Sequence, residues 1–206
     1  MGLTISSGEY AYYLKEDPEG AKWMEEDFKV INSVLKKNGI PEHSEATEVP
    51  DVAMSSIEGF PYSFLHYLRR IYALDKLEKP VTPTNGELTE EDDNFIMEAS
   101  EMMDSHLLCH SDTEGYYVPI EFDEVIFDEE LTGGMLGSSQ KLFLEILKVA
   151  HLIDVKVNGS EISESTHQEL VKADENHPYY IERVVWFNLF ENCKNSIENN
   201  TLISFG

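Results

Sequence analysis

Between residues 80 and 140 the chain carries sixteen acidic side chains and no lysine or arginine. Helix surfaces normally mix signs, because opposite charges four residues apart add about 0.2–0.5 kcal/mol per pair. No such pair can form within this segment. Its carboxylates therefore make either a solvated face or a docking surface for a basic partner. The flanks are ordinary by comparison, with 14 acidic and 9 basic residues over 1–79 and 10 and 6 over 141–206.

The formal net charge of −25 argues against direct nucleic-acid binding, since a duplex repels a surface of its own sign. A hydrophobic content of 41% is globular rather than disordered usage. The 206 residues fit a single domain, 1–206, with an internal break near 80–87, where Pro80, Pro83 and Asn85-Gly86 interrupt the chain. No apolar run approaches the ~20 residues of a membrane span, and no basic stretch followed by an apolar one opens the chain as a secretory leader would. Two cysteines, Cys109 and Cys193, are too few for a disulfide framework, which points to a reducing, cytoplasmic setting without membrane partners.

Local patterns predict helices and strands in alternation. Asp17-Pro18-Glu19 is a helix start, and Met24, Phe28, Ile31 and Leu35 follow at steps of four, three and four, up to a stop at Gly39 and Pro41. Residues 41–58, with Pro41, Pro50 and Ser55-Ser56, read as loop. Pro61 opens a second helix, and Thr89 with Asp92 three residues on resembles a capping box for a third. Leu107-Leu108-Cys109 and Tyr116-Tyr117-Val118 flank the turn-rich Ser111–Gly115 and predict a hairpin. Gly133–Ser139 reads as a loop before a helix holding Leu142, Phe143 and Ile146. A small strand at Val155–Val157, a helix near 163–174, a long helix after Pro178 and a closing strand at Leu202–Phe205 complete the chain. The expected class is α+β, several helices on a small, mostly antiparallel sheet.

Few residues suggest chemistry. His106, His110, Asp112 and Glu114 are the best metal set, since imidazole and carboxylate suit zinc with an open position for water. No HExxH pattern accompanies them. Gly133–Ser139 lacks the GK[ST] ending of a phosphate loop, so Ser138 or Ser139 is expected to be a plain helix cap. Cys109, between His106 and His110, is a candidate thiolate, with a buried structural thiol as the expectation. Met1-Gly2 followed by Ser6 formally fits an acylation pattern, against an ordinary first strand containing Leu3 and Ile5. The broad apolar girth of the 178–196 helix suits a core helix or a homodimer seam.

Size, acidity and mixed structure are shared with small inhibitors of basic enzymes, including bacterial toxin-immunity proteins. The leading expectation is a non-enzymatic, inhibitor or immunity-type protein that needs no cofactor and engages one basic protein through residues 87–130. Glu90, Glu91, Asp93, Asp112, Glu114, Asp128, Glu129 and Glu130 would supply charge, with Tyr116 and Tyr117 as aromatic anchors. The alternative is a metal-dependent hydrolase at His106, His110, Asp112 and Glu114. A third reading is a decoy that imitates the phosphate spacing of nucleic acid and binds several DNA-binding proteins with steep salt dependence.

Overall fold

The computed structural model describes residues 2–50, 57, 59–84 and 86–206; Met1, Ser55-Ser56 and Asn85 of the sequence reading lie outside the described residues. The described residues form an α+β fold, seven helices with a mixed five-stranded sheet and a two-stranded one.

Polar caps start most helices. Strand β1 (Ile5–Ser7) leads into α1 (Glu9–Glu16) and then α2 (Pro18–Lys37), where the Asp17 carboxylate accepts from the Glu19 and Gly20 amides. Helix α3 (Tyr62–Lys76) follows Pro61. Helix α4 (Glu90–Ser100) begins with the capping box read from the sequence: the Thr89 hydroxyl accepts from the Asp92 amide, and Asp92 accepts from the Thr89 amide at 2.9 Å. After β2 (Gly115–Val118), β3 (Ile126–Phe127) and β4 (Met135–Ser138), Ser138 caps α5 (Ser139–Val149). The β5 (Val157–Asn158) and β6 (Glu161–Ile162) hairpin, α6 (Glu164–Lys172), α7 (Tyr180–Asn199) and β7 (Ile203–Phe205) close the chain.

The main sheet runs β1-β7-β2-β4-β3, with β2 and β4 parallel and the other three pairings antiparallel. Alternation along β2 sends neighbouring tyrosines to opposite faces. Tyr117, with Ile203 and Phe205, meets α3, α5 and α7 in the larger core, where Trp186 is fully buried and its indole N–H donates to the Ile146 carbonyl at 2.7 Å. Tyr116 and Val118, with Leu136 and Ile126, face Ile31, Val34 and Leu35 of α2. A third, smaller cluster of Ala73, Ala99 and Leu108 seats α4 on α3.

Two expectations fail here for physical reasons. Leu107–Cys109 forms no hairpin with Tyr116–Val118, because its polar backbone is already engaged. The Glu145 carboxylate of α5 accepts from the His106 and Leu107 amides at 2.9 and 2.7 Å, and Arg69 of α3 donates to the carbonyls of Leu107 and His110. Strand β2 pairs with β4 and β7 instead. Residues 135–138, expected as loop, form β4, and Gly137 lets the Tyr117 ring lie across it: a Cβ there would stand 2.1 Å from that ring. The α1 helix was not anticipated.

Candidate partner-binding surface

Cations from both flanks fold back onto the cation-free segment. Arg70 pairs with Asp92, Lys76 with Asp104 and Arg69 with Asp112; Lys141 reaches Asp123 at 2.6 Å and Glu121 at 3.6 Å, and Lys37 reaches Asp128 at 2.7 Å. Among the described residues, the remaining carboxylates of 80–140 have no cation within ion-pair distance: Glu87, Glu90, Glu91, Asp93, Glu98, Glu101, Glu114, Glu124, Glu129 and Glu130, all exposed.

Half of these ten stand on one helix. Helix α4 turns Asp92 and Ala99 inward. Glu90, Asp93, Met97 and Glu101 follow at steps of three, four and four along its outer side, and Glu91 and Glu98 make a second stripe beside them. Glu101 continues the helical backbone as the C-terminal cap, at φ −55° and ψ −31°. Eleven residue steps span about 16 Å from the first to the last of the five carboxylates, a mean axial interval of about 4 Å. A single DNA strand carries about one charge per 3.4 Å of helix axis. Arg70 and Lys79, the latter 6.0 Å from the Phe95 ring, bond none of the five. On α2, by contrast, Lys22, Lys29, Lys36 and Lys37 interleave with the acids.

The base of this helix is rigidly seated. Burial works to raise the Asp92 pKa, but hydrogen bonds from Arg70 and Thr89 outweigh it and hold the carboxyl low. An ionised Asp92 thus ties the start of α4 to Arg70 of α3, whose guanidinium also donates to the Thr82 carbonyl at 2.9 Å.

The other acidic positions read from the sequence do not share this platform. Residues 126–136 pack on α2 rather than α3, so 87–130 is carried on two separate supports. Asp112 is half-buried between Arg69 and His66, which stands 3.1 Å away; despite the cost of burial, those two partners hold its carboxyl well below the usual range. Asp128 is held low by the hydrogen bond from Lys37. Glu114, Glu129 and Glu130 are exposed and unpaired. Neither tyrosine is a free anchor. Tyr117 is 1% exposed and donates to the His106 carbonyl at 2.8 Å, and half-buried Tyr116 donates to Asp27 at 2.5 Å. Sequence reasoning did not single out Glu98 and Glu101 for the surface, although their helical spacing from Glu91 and Asp93 was readable.

The metal set does not assemble. His106 Nδ1 accepts from the Ser138 amide at 2.9 Å, while its Nε2 lies 3.3 Å from the Asp123 carbonyl. The His110 ring stacks on Tyr117 at 4.1 Å, with its two nitrogens 3.1 and 3.3 Å from the Ser111 and Tyr116 carbonyls. Burial pushes both imidazoles down to about 4. Among the described residues, no three His, Cys, Asp or Glu side chains are grouped to hold a metal ion. Burial also raises the Cys109 thiol, opposite to the shift of an activated thiolate. The Ser138 amide is spent on His106, and its hydroxyl caps α5. The apolar girth of α7 is covered: Val185, Trp186, Phe187, Leu189 and Cys193 are each 0% exposed against the rest of the fold, which leaves no seam there for a homodimer. No helix among the described residues is long and apolar enough to cross a membrane.

No curated protein and no solved structure matches the chain. Residues 1–205 match the family described as "Putative DNA-mimic protein". That match overturns both leading expectations, the inhibitor or immunity-type protein with one dedicated basic partner and the hydrolase centred on His106, His110, Asp112 and Glu114. The family's description agrees instead with the third reading of the sequence, imitation of nucleic acid. Since the match spans the acidic segment, the core and both flanks, the chain belongs to this DNA-mimic family.

Proposed function

We propose that this protein binds DNA-binding proteins in place of DNA, offering the outer face of α4 where a partner would meet one phosphate strand. The observation that carries the reading is the set of five unpaired carboxylates on one helix, Glu90, Glu91, Asp93, Glu98 and Glu101, at a mean axial interval of about 4 Å against about 3.4 Å for the charges of a DNA strand, in a chain of the DNA-mimic family. Glu114, Glu129 and Glu130 form a second, separately supported group for a wider footprint.

A helix suits this task because its backbone hydrogen bonds fix the carboxylate positions before the partner arrives, so little ordering is left to be done on docking. Arg and Lys side chains that grip phosphates meet carboxylates with equal charge sense, and Arg does so with two parallel hydrogen bonds. A surface of one sign also speeds encounter, an advantage that salt screens over about 8 Å at physiological strength. Carboxylates reproduce phosphate charge but no base edge. Partners whose affinity rests on phosphate contacts are therefore favoured over those that depend on base readout. The reading includes a single 1–206 domain working in the cytoplasm, where the Cys109 and Cys193 thiols stay reduced.

The test uses the proteins of a cell lysate that are retained on a duplex-DNA column and released by salt. Passed over immobilised protein at low salt, this fraction should leave behind at least one species that free duplex DNA then elutes. Retention of none, or retention that DNA leaves undisturbed, would contradict the reading.

A further inference from the structure

The acidic face of α4 contains something DNA does not have. Met97, Met102 and Met103 are 61%, 76% and 51% exposed, three of the nine large apolar side chains in the described residues that face solvent, and they fall within seven consecutive positions. Met97 stands in the same stripe as Glu90, Asp93 and Glu101, and the other two follow directly after Glu101. Met103 also holds left-handed backbone at φ +55°, a position past a helix end where glycine is the usual and cheaper occupant. Its amide donates to the Ser100 carbonyl at 2.9 Å, a bond that glycine would make equally well. Folding thus asks for no methionine at this site, yet three apolar side chains stand in water among unpaired carboxylates.

We infer that Met97, Met102 and Met103 form the apolar centre of the docking face and receive the aliphatic stems of the lysine and arginine side chains that line a DNA-binding surface. The inference rests on the reading proposed above and deepens it. Charge complementarity commits the occupant. A chain that approaches apolar methionines through Glu90, Asp93, Glu98 and Glu101 must be basic, and basic side chains pair a charged head with three or four methylenes. The head meets the carboxylate rim and the stem meets the methionines. Methionine is unbranched and adaptable, so one patch can fit differently spaced stems, as suits several DNA-binding partners. The arrangement also adds a contact that salt does not screen, which the phosphates of DNA lack.

The experiment takes a purified DNA-binding protein identified by the column test and compares wild type with M97Q/M102Q/M103Q by surface plasmon resonance at 0.1 and 0.5 M salt. Gln keeps length and removes apolarity at exposed positions, so the melting temperature should stay within about a degree. The variant should bind at least about ten-fold more weakly at both salts, as loss of central contacts does. Equal affinity of variant and wild type, with wild-type binding still displaced by duplex DNA, would overturn this inference and leave the proposed function standing. Wild-type binding that DNA does not displace would remove both. A wild-type dimer in sedimentation that the variant dissolves would assign the methionines to self-association and also overturn it.

Discussion

Lys37, in the last turn of α2, donates at 2.7 Å to Asp128, which lies 91 residues further along the chain. Arg69, Arg70, Lys76 and Lys141 make comparable long-range pairs with Asp112, Asp92, Asp104 and Asp123. Among the described residues, five aspartates and Glu121 take these cations, and nine glutamates and Asp93 are left facing water. The charge a partner meets is therefore set by which carboxylates the fold leaves unpaired, not by the acidic run in the sequence.

That division has a kinetic consequence. The E90Q/E98Q/E101Q variant should associate with a DNA-binding partner about ten-fold more slowly at low salt, with the gap closing as salt rises. D128N, at a paired site, should change the rate far less. Stopped-flow association of the two variants at matched ionic strength checks this; equal slowing would contradict it.

Asp92 holds the platform beneath that surface. Its replacement by Ala removes the reciprocal half of the capping box and leaves the buried Arg70 guanidinium without its carboxylate. Breaking such a pair from one side costs about 3 kcal/mol or more, a fall of about 6–12 °C in melting temperature for a chain of this size. D92N, which keeps a cap acceptor, should lose less. Thermal denaturation followed by circular dichroism distinguishes them.

The contact between β2 and β4 makes a sharper steric prediction. A methyl group at Gly137 would stand 2.1 Å from the Tyr117 ring, and Tyr117 is locked by its hydrogen bond to the His106 carbonyl. G137A should therefore destabilise by at least the 1–3 kcal/mol typical of an overpacked core (roughly, by comparison with other cores). G159A, at a hairpin turn where a Cβ would meet nothing within 4 Å, carries only the cost of its positive φ and should lose less. Urea denaturation of both proteins checks the order.

Acid should weaken the fold through His106 and His110. Burial lowers both from 6.5 in the unfolded chain to about 4 in the folded one, so between those values the unfolded chain binds protons that the folded chain refuses. Stability from each is complete above pH 6.5 and lost as pH falls toward 4, to a total of ~3 kcal/mol per histidine. Glu145 acts oppositely. Burial pushes it up to about 7, so its protonated form favours the fold and stability declines as pH rises from 4.5 through 7. Comparing H110Q with wild type cancels Glu145. The stability of wild type relative to H110Q should fall between pH 6.5 and 4, and a constant difference would contradict the assignment.

Elements governed by local chemistry were legible in the sequence. The Asp17-Pro18 start of α2, the Thr89–Asp92 box of α4 and the Ser138 cap of α5 are each decided by residues within four positions of one another. What escaped reading depends on partners far along the chain. Leu107–Cys109 looks extended until Glu145 and Arg69 claim its amides and carbonyls. Residues 135–138 look like a glycine loop until the Tyr117 ring fills the space above Gly137. Tyr117 looked like an anchor because aromatic residues in an acidic stretch carry no mark of which sheet face they occupy. The total charge of the candidate surface was readable, but its division into paired and unpaired carboxylates was not, since every cation that pairs within 80–140 comes from outside it.

The most direct measurement of the central claim is displacement of DNA itself. A fluorescent duplex is bound to a DNA-binding protein taken from the column fraction, and its anisotropy is followed as this protein is added. The account predicts that anisotropy falls to the value of free duplex, and that E90Q/E98Q/E101Q needs a much higher concentration to achieve it. Anisotropy that stays high or climbs while the protein binds, as in a ternary complex on a separate surface, would contradict the claim that α4 takes the place of a DNA strand.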